Sequence, residues 1–307
     1  MTTDRYRRVR SLHHHCVRHV DRVRLLGVLL ASAGILAGCS GVKKASAAQP
    51  RVIKQGDVPP RQSVVDIPAQ PYRAVGVSAG GRITGTIDFD GPIPRDSVIQ
   101  LAADQMGCGQ SITDARVEHS GPRIGGAVVW LTDIRAGKPL AVERRFELSN
   151  KDCILTPRIQ AVITSGTLNV ASEDAALHRN RIINVATGET EGIAPFNDNG
   201  EVVPFDRLLS KPAQLEVVCD FHAWQRAWIL VFDHPYFALS ARSGDFSIAD
   251  IPAGTYRVKA WHPVLGIAEQ TVTIAAGQDA KLALKLVQPA ATPIPVPAPV
   301  TAPAPTG

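Results

Sequence analysis

Apolar and polar residues alternate along most of this chain in short runs, each bounded by glycine, proline, asparagine or aspartate. Such runs are GRITGTIDF (81–89), GGAVVWLTD (125–133), GTLNVAS (166–172), AQLEVVC (213–219), AWILVF (227–232), DFSIADI (245–251), GTYRVKAW (254–261) and QTVTI (270–274). A period of two puts alternate side chains on one face of a strand, and β-branched and aromatic residues suit that surface. Spacing suited to a helix is confined to residues 97–105. The pattern predicts an all-β protein built of β-sandwiches.

Two ends break the pattern. Residues 25–36, LLGVLLASAGIL, form an uncharged apolar run, and the 24 residues before it carry seven arginines against Asp4 and Asp21. A basic segment, a short apolar core and a small-residue exit describe a secretory signal. The run falls short of the roughly 20 residues that span a bilayer. It closes on Leu36-Ala37-Gly38-Cys39, which resembles the lipobox of bacterial lipoproteins. That resemblance implies removal of residues 1–38 and a lipid anchor on Cys39; an ordinary signal with an incidental cysteine is the alternative. Ser40, where inner-membrane retention uses aspartate, implies the periplasmic side of the cell envelope, at the outer membrane. Residues 39–78 read as a flexible tether, and residues 288–307, with seven prolines, as a disordered polyproline-like tail.

Charge changes meaning once the leader is set aside. The chain has 33 basic and 28 acidic residues; without the leader's seven and two, 26 of each remain. The basic excess belongs to the leader, so no nucleic-acid partner is expected. His13, His14 and His15 fall in the same leader and are not read as a metal tract.

The densest chemistry is Cys219-Asp-Phe-His222-Ala-Trp-Gln225, between two predicted strands. A thiolate at a strand end and an imidazole three residues on can face one centre. His178, 44 residues upstream, follows the run 166–172 and is the candidate third ligand. Two imidazoles and one thiolate, with a weak axial ligand, form the blue-copper donor set. Zinc can use the same three residues, although no Cys-x-x-Cys pair of a structural zinc site is present. A cysteine hydrolase is disfavoured because no glycine-rich nucleophile turn surrounds Cys219. The remaining alternative is a metal-free sandwich with a buried thiol and two structural histidines.

In ligand order, residues 145–233 resemble the cupredoxins, and the Cys-x-x-His spacing is most similar to amicyanin-type short loops. The resemblance implies one copper held by His178, Cys219 and His222. Gln225 stands at the axial methionine position, as in stellacyanin-like members, and Arg179 replaces the asparagine that follows the first histidine. Single-electron transfer to a redox protein partner is the implied function, without enzyme activity. Such a site is expected to expose an edge of His222 within an apolar patch. Copper storage or delivery is a further reading, and a non-catalytic envelope lipoprotein that binds protein or glycan is the alternative.

Of the five cysteines, Cys16 goes with the leader and Cys39 with the lipid. A Cys108–Cys153 disulfide would leave Cys219 as a free ligand; three buried thiols are the other option. Residues 234–287 carry Gly244-Asp-Phe246-Ser-Ile248 and then Pro252-Ala-Gly254-Thr-Tyr256. They resemble the carboxypeptidase regulatory-like domain, a small prealbumin-like sandwich without catalytic residues. Residues 79–144 read as an N-terminal β segment whose opening resembles the same module, and a cupredoxin-like region inserted in a composite sandwich is one reading of that resemblance. His234 and His262, each followed by proline, are read as packing residues, with a second site at the domain junction as the alternative.

Overall fold

The computed structural model describes residues 51–53, 64–101 and 107–288. The signal segment, Cys39, Ser40, most of the tether and the proline-rich tail lie outside the described residues. Within them the chain forms 23 strands and no helix, so the all-β expectation holds.

The strands build two sandwiches. One is contiguous in sequence. Its first sheet orders the strands Ile159–Ile163, Arg226–Phe232, Ala213–Cys219, His178–Asn184 and Thr190–Phe196. Its second sheet orders Ile154–Thr156, Arg145–Lys151, Thr167–Ser172 and Val202–Phe205. Between the sheets lies a core that includes Leu148, Leu168, Val170, Ile182, Val217, Ile229 and Val231. These come from the alternating positions of their strands, as burial of one face requires.

The other sandwich is assembled from both flanks of the first. Gly81–Phe89 lies between Asp245–Ile251 and Asp279–Leu286, and also touches Arg123–Ile124. The facing sheet orders Phe237–Leu239, Val128–Leu131, Gly254–His262 and Gly266–Ile274. Its core mixes Ile83, Ile87, Val129 and Leu131 with Tyr236, Phe246, Val258 and Leu284. Residues 234–287 therefore do not close a sandwich by themselves; both sheets need strands from 81–131. Trp130, Trp228, Phe232 and Trp261 pack in a third apolar cluster, which draws on strands of both sandwiches.

Two readings of local structure change. Ser97–Gln100 is a strand rather than the start of a helix, paired with Ser111–Asp114. Its β-branched Val98 and Ile99, with Ile99 buried, favour the pleated surface. Residues 64–78 are not a free tether. Val65 is buried and donates its N–H to Gln214 Oε1 at 2.8 Å, and Gln70 N–H bonds Asp233 Oδ2 at 2.8 Å. Apolar Val65 and Ile67 against the tryptophan cluster give this segment a reason to dock.

Candidate metal centre

Three neighbouring backbone features bring the predicted ligands together. Cys219 ends one strand and His178 begins the next strand across, with Asn180 paired to Cys219. His178, Asn180 and Ile182 alternate on the buried face, so the His178 ring turns inward. The connection from Cys219 to Arg226 closes through Gln225 N–H to His222 C=O at 2.9 Å, which folds His222 back over Cys219. Asp220 pairs with Arg179 and Arg181 on the outside and fixes the start of this loop.

The result is a triangle of lone-pair atoms. His178 Nδ1 and His222 Nδ1 are 3.1 Å apart, and Cys219 Sγ lies 3.8 Å from the first and 3.6 Å from the second. Bonds of about 2.0 Å to nitrogen and 2.3 Å to sulfur around a trigonal ion separate the nitrogens by about 3.5 Å and nitrogen from sulfur by about 3.7 Å. The sulfur–nitrogen sides match that spacing, and the nitrogens stand about 0.4 Å closer than an ion would set them. All three residues are buried.

Gln225 follows three residues after His222 and is 1% exposed, and neither atom of its amide has a hydrogen-bond partner. An unsatisfied buried amide costs about 1–3 kcal/mol. A weak bond from its oxygen to a metal would offset that cost, and the His178, Cys219 and His222 donor set by itself suits a copper ion.

The outer ring nitrogens have partners of their own, which sequence reasoning did not single out. His178 Nε2 lies 3.2 Å from Asp174 Oδ2, and the same oxygen accepts the Cys153 N–H at 3.0 Å. A carboxylate on the far nitrogen fixes the tautomer and ring angle of a metal-binding histidine. The signal available in the sequence was a carboxylate four residues before His178. His222 Nε2 sits 3.6 Å from Cys108 Sγ, and Trp224 covers the same ring at a centroid distance of 4.9 Å.

Cys108 and Cys153 are joined in a disulfide, which leaves Cys219 as the free cysteine of the described residues. Cys153 occupies a two-residue turn with Asp152, both at positive φ, joining Arg145–Lys151 to Ile154–Thr156. Cysteine adopts this conformation rarely. Here three contacts hold it: the N–H to Asp174, the sulfur to Cys108, and the carbonyl to Trp224 Nε1 at 2.9 Å. The strand Ser111–Asp114, which begins three residues after Cys108, is anchored by the ion pair of buried Asp114 with Arg158.

His222 is only 2% exposed, because Cys108 and Trp224 cover it. The expected bare histidine edge is absent; the exposed apolar residue of the loop is Phe221.

Electrostatics favour charge separation in the metal-free cluster. Burial pushes the Cys219 thiol up, but hydrogen bonds from His178 and His222 outweigh it and bring the thiol down to about 6. Burial pushes His178 down, and its bonds to Asp174 and Cys219 override this and raise it to about 9. A thiolate facing an imidazolium is ready to exchange a proton for a metal ion.

The two His-Pro histidines serve as turn locks. His234 Nδ1 accepts the Tyr236 N–H at 3.2 Å, and His262 Nδ1 accepts the Val264 N–H at 3.1 Å. Burial lowers them to about 4 and about 3, so both are neutral at pH 7.

Among known families, residues 186–282 match polysaccharide lyase family 4, domain II. The match covers less than half of the chain and runs across both sandwiches. No curated protein matches the chain in sequence. Solved structures similar to parts of it include the Cu-containing nitrite reductase of Thermus scotoductus SA-01, at 16% identity and a TM-score of 0.25 over 32% of this chain. This chain covers only 26% of that enzyme. A purple cupredoxin from Nitrosopumilus maritimus is similar over 28% of this chain and 98% of its own length, at 14% identity and a TM-score of 0.24. A mutant of amicyanin with Cu(I) is similar over 28% of this chain and 81% of its own, at 11% identity and a TM-score of 0.24.

Proposed function

We propose that this chain is a cupredoxin-like protein of the cell envelope, anchored by lipid at Cys39, that binds one copper through His178, Cys219 and His222 and passes single electrons. The observation that carries the reading is the triangle of His178 Nδ1, His222 Nδ1 and Cys219 Sγ, with sides of 3.1, 3.6 and 3.8 Å. Copper bound there would supply a reversible one-electron couple. The residues of this chain do the rest. Cys219 and the two rings hold the ligands at fixed spacing, Asp174 orients His178, and the sandwich core prevents the set from relaxing between oxidation states. Gln225, an oxygen donor, would lower the potential relative to a thioether.

Burial of His222 favours a second reading, copper storage or delivery, because a covered ring is a poor contact for a redox partner. One experiment addresses both. The purified chain is mixed with one equivalent of Cu(II) and its visible spectrum recorded beside a Cys219→Ser control. An intense thiolate-to-copper band near ~600 nm that the control lacks is expected; a colourless, copper-free protein overturns the proposal. Cyclic voltammetry then separates the readings, since storage predicts binding without reversible cycling.

A further inference from the structure

Each imidazole of the centre uses one nitrogen inward and the other outward. His178 Nε2 reaches Asp174, and His222 Nε2 reaches Cys108 Sγ at 3.6 Å. Ligand atoms of Cys153, Asp174 and His178 lie within 4.8 Å of one another, a spacing compatible with one metal ion. In the disulfide the two sulfurs are spent on each other and cannot act as thiolates. Cys153, Asp174 and His178 thus stand close enough for one ion, Cys108 is bonded to Cys153, and the disulfide blocks both sulfurs.

We propose that reduction of Cys108–Cys153 uncovers a second metal site, formed by the two thiols with the Asp174 carboxylate and the outer nitrogen of His178, and that it takes a soft cation of the Cu(I) type. The inner centre is fully buried, so an ion reaching it must pass its covering groups, and the disulfide is one of them. Cys108 is part-exposed between exposed Gly107 and Gly109 while Cys153 is buried, so a reductant approaches the disulfide from the Cys108 side.

The step balances as thiol–disulfide exchange. The thiolate of an external dithiol attacks one sulfur and forms a mixed disulfide. The second thiol of the reductant then displaces it. Two electrons and two protons end on Cys108 and Cys153, and the reductant leaves as a disulfide. Binding Cu(I) afterwards displaces the thiol protons without any change in oxidation state. Two thiolates favour Cu(I) over hard divalent ions.

The inference extends the copper reading, because it shares His178, but it does not use Cys219. The test exploits that difference. Cys219→Ser protein is prepared in the disulfide form and, after treatment with a phosphine, in the dithiol form. Each is titrated anaerobically with Cu(I) against a coloured Cu(I) chelator. The dithiol form is expected to take one equivalent under conditions in which the disulfide form takes none. Adding Asp174→Asn should weaken that uptake by about 10–100-fold, the usual effect of losing a supporting carboxylate. Equal uptake by the two forms, or uptake indifferent to Asp174, overturns the proposal. Wild-type protein in its disulfide form reports on the inner centre alone, so failure of either site is read separately. Circular dichroism of each variant confirms that it is folded.

Discussion

His178 Nε2 lies 3.2 Å from Asp174 Oδ2 while its Nδ1 faces Cys219, so one ring joins a buried thiol to a carboxylate. The same carboxylate oxygen caps the N–H of Cys153. Asp174 therefore positions both a ligand and the turn that carries the disulfide.

Replacing Asp174 with asparagine keeps the size of the side chain and removes its charge. Copper affinity of the disulfide form should fall by about 10–100-fold. The thiolate band should shift rather than vanish, because Cys219 and His222 remain. Competitive titration with a chelator measures the first effect and the visible spectrum the second.

In the metal-free protein the two shifts of the cluster act on stability in opposite senses as pH changes. Cys219 is lowered to about 6, so its contribution is full above the unfolded thiol's value of 9.0 and is lost as pH falls through about 6. His178 is raised to about 9, so its contribution is full below 6.5 and is lost as pH rises through about 9. The two slopes are opposite and overlap from about 6.5 to about 9, so they offset one another and the pair leaves stability nearly flat across that range. Thermal melts from pH 5 to 10, and thiolate absorbance in the ultraviolet, test this. A Cys219→Ser variant should lose this balance, with stability falling as pH rises through the His178 range.

Gln225 carries a buried amide without a partner. Gln225→Leu removes both polar atoms at similar volume and should stabilise the metal-free protein by about 1–3 kcal/mol. The gain in stability that copper brings should shrink in the same variant. Denaturant melts with and without copper give both numbers. An unchanged gain from copper would show that Gln225 is no ligand.

Tyr236 is fully buried; its hydroxyl accepts the Lys138 N–H at 2.8 Å and donates to the Asp250 carbonyl at 2.9 Å. Tyr236→Phe leaves both backbone groups unpaired and should cost about 1–3 kcal/mol. Urea denaturation measures the loss, and copper binding should be unaffected because the residue belongs to the other sandwich.

Much of the architecture was legible in the period-two pattern. The run AQLEVVC (213–219) is a strand over its whole length, and Gly81–Phe89 and Asp245–Ile251 match their runs as well. Strands such as Thr190–Phe196 escaped notice because charge and proline interrupt their apolar positions. His178 follows the strand Thr167–Ser172, as its run suggested, and also opens a strand of its own, which stayed hidden because the run HRNRIIN interleaves buried polar residues with arginines and so carries little hydrophobic signal. Cys219 and His222 were visible as a motif. The coverage of His222 was not, because Cys108 arrives from more than a hundred residues upstream and nothing local announces it.

Gly81–Phe89 is paired in parallel with Asp279–Leu286, with Ile83 beside Ala280 and Leu284 beside Ile87. Nearly two hundred residues separate the partners, and a complete sandwich is strung between them. Loop closure on that scale is slow, and it rewards a chain whose intervening part is already compact. The inner sandwich would then condense early, shortening the effective loop, and the outer one would zip shut last. Until that moment Ile83 and Ile87 present an unpaired apolar edge, the kind of surface on which chains aggregate. A mutation that slows the inner sandwich should therefore reveal itself as aggregation seeded by a strand it never touches.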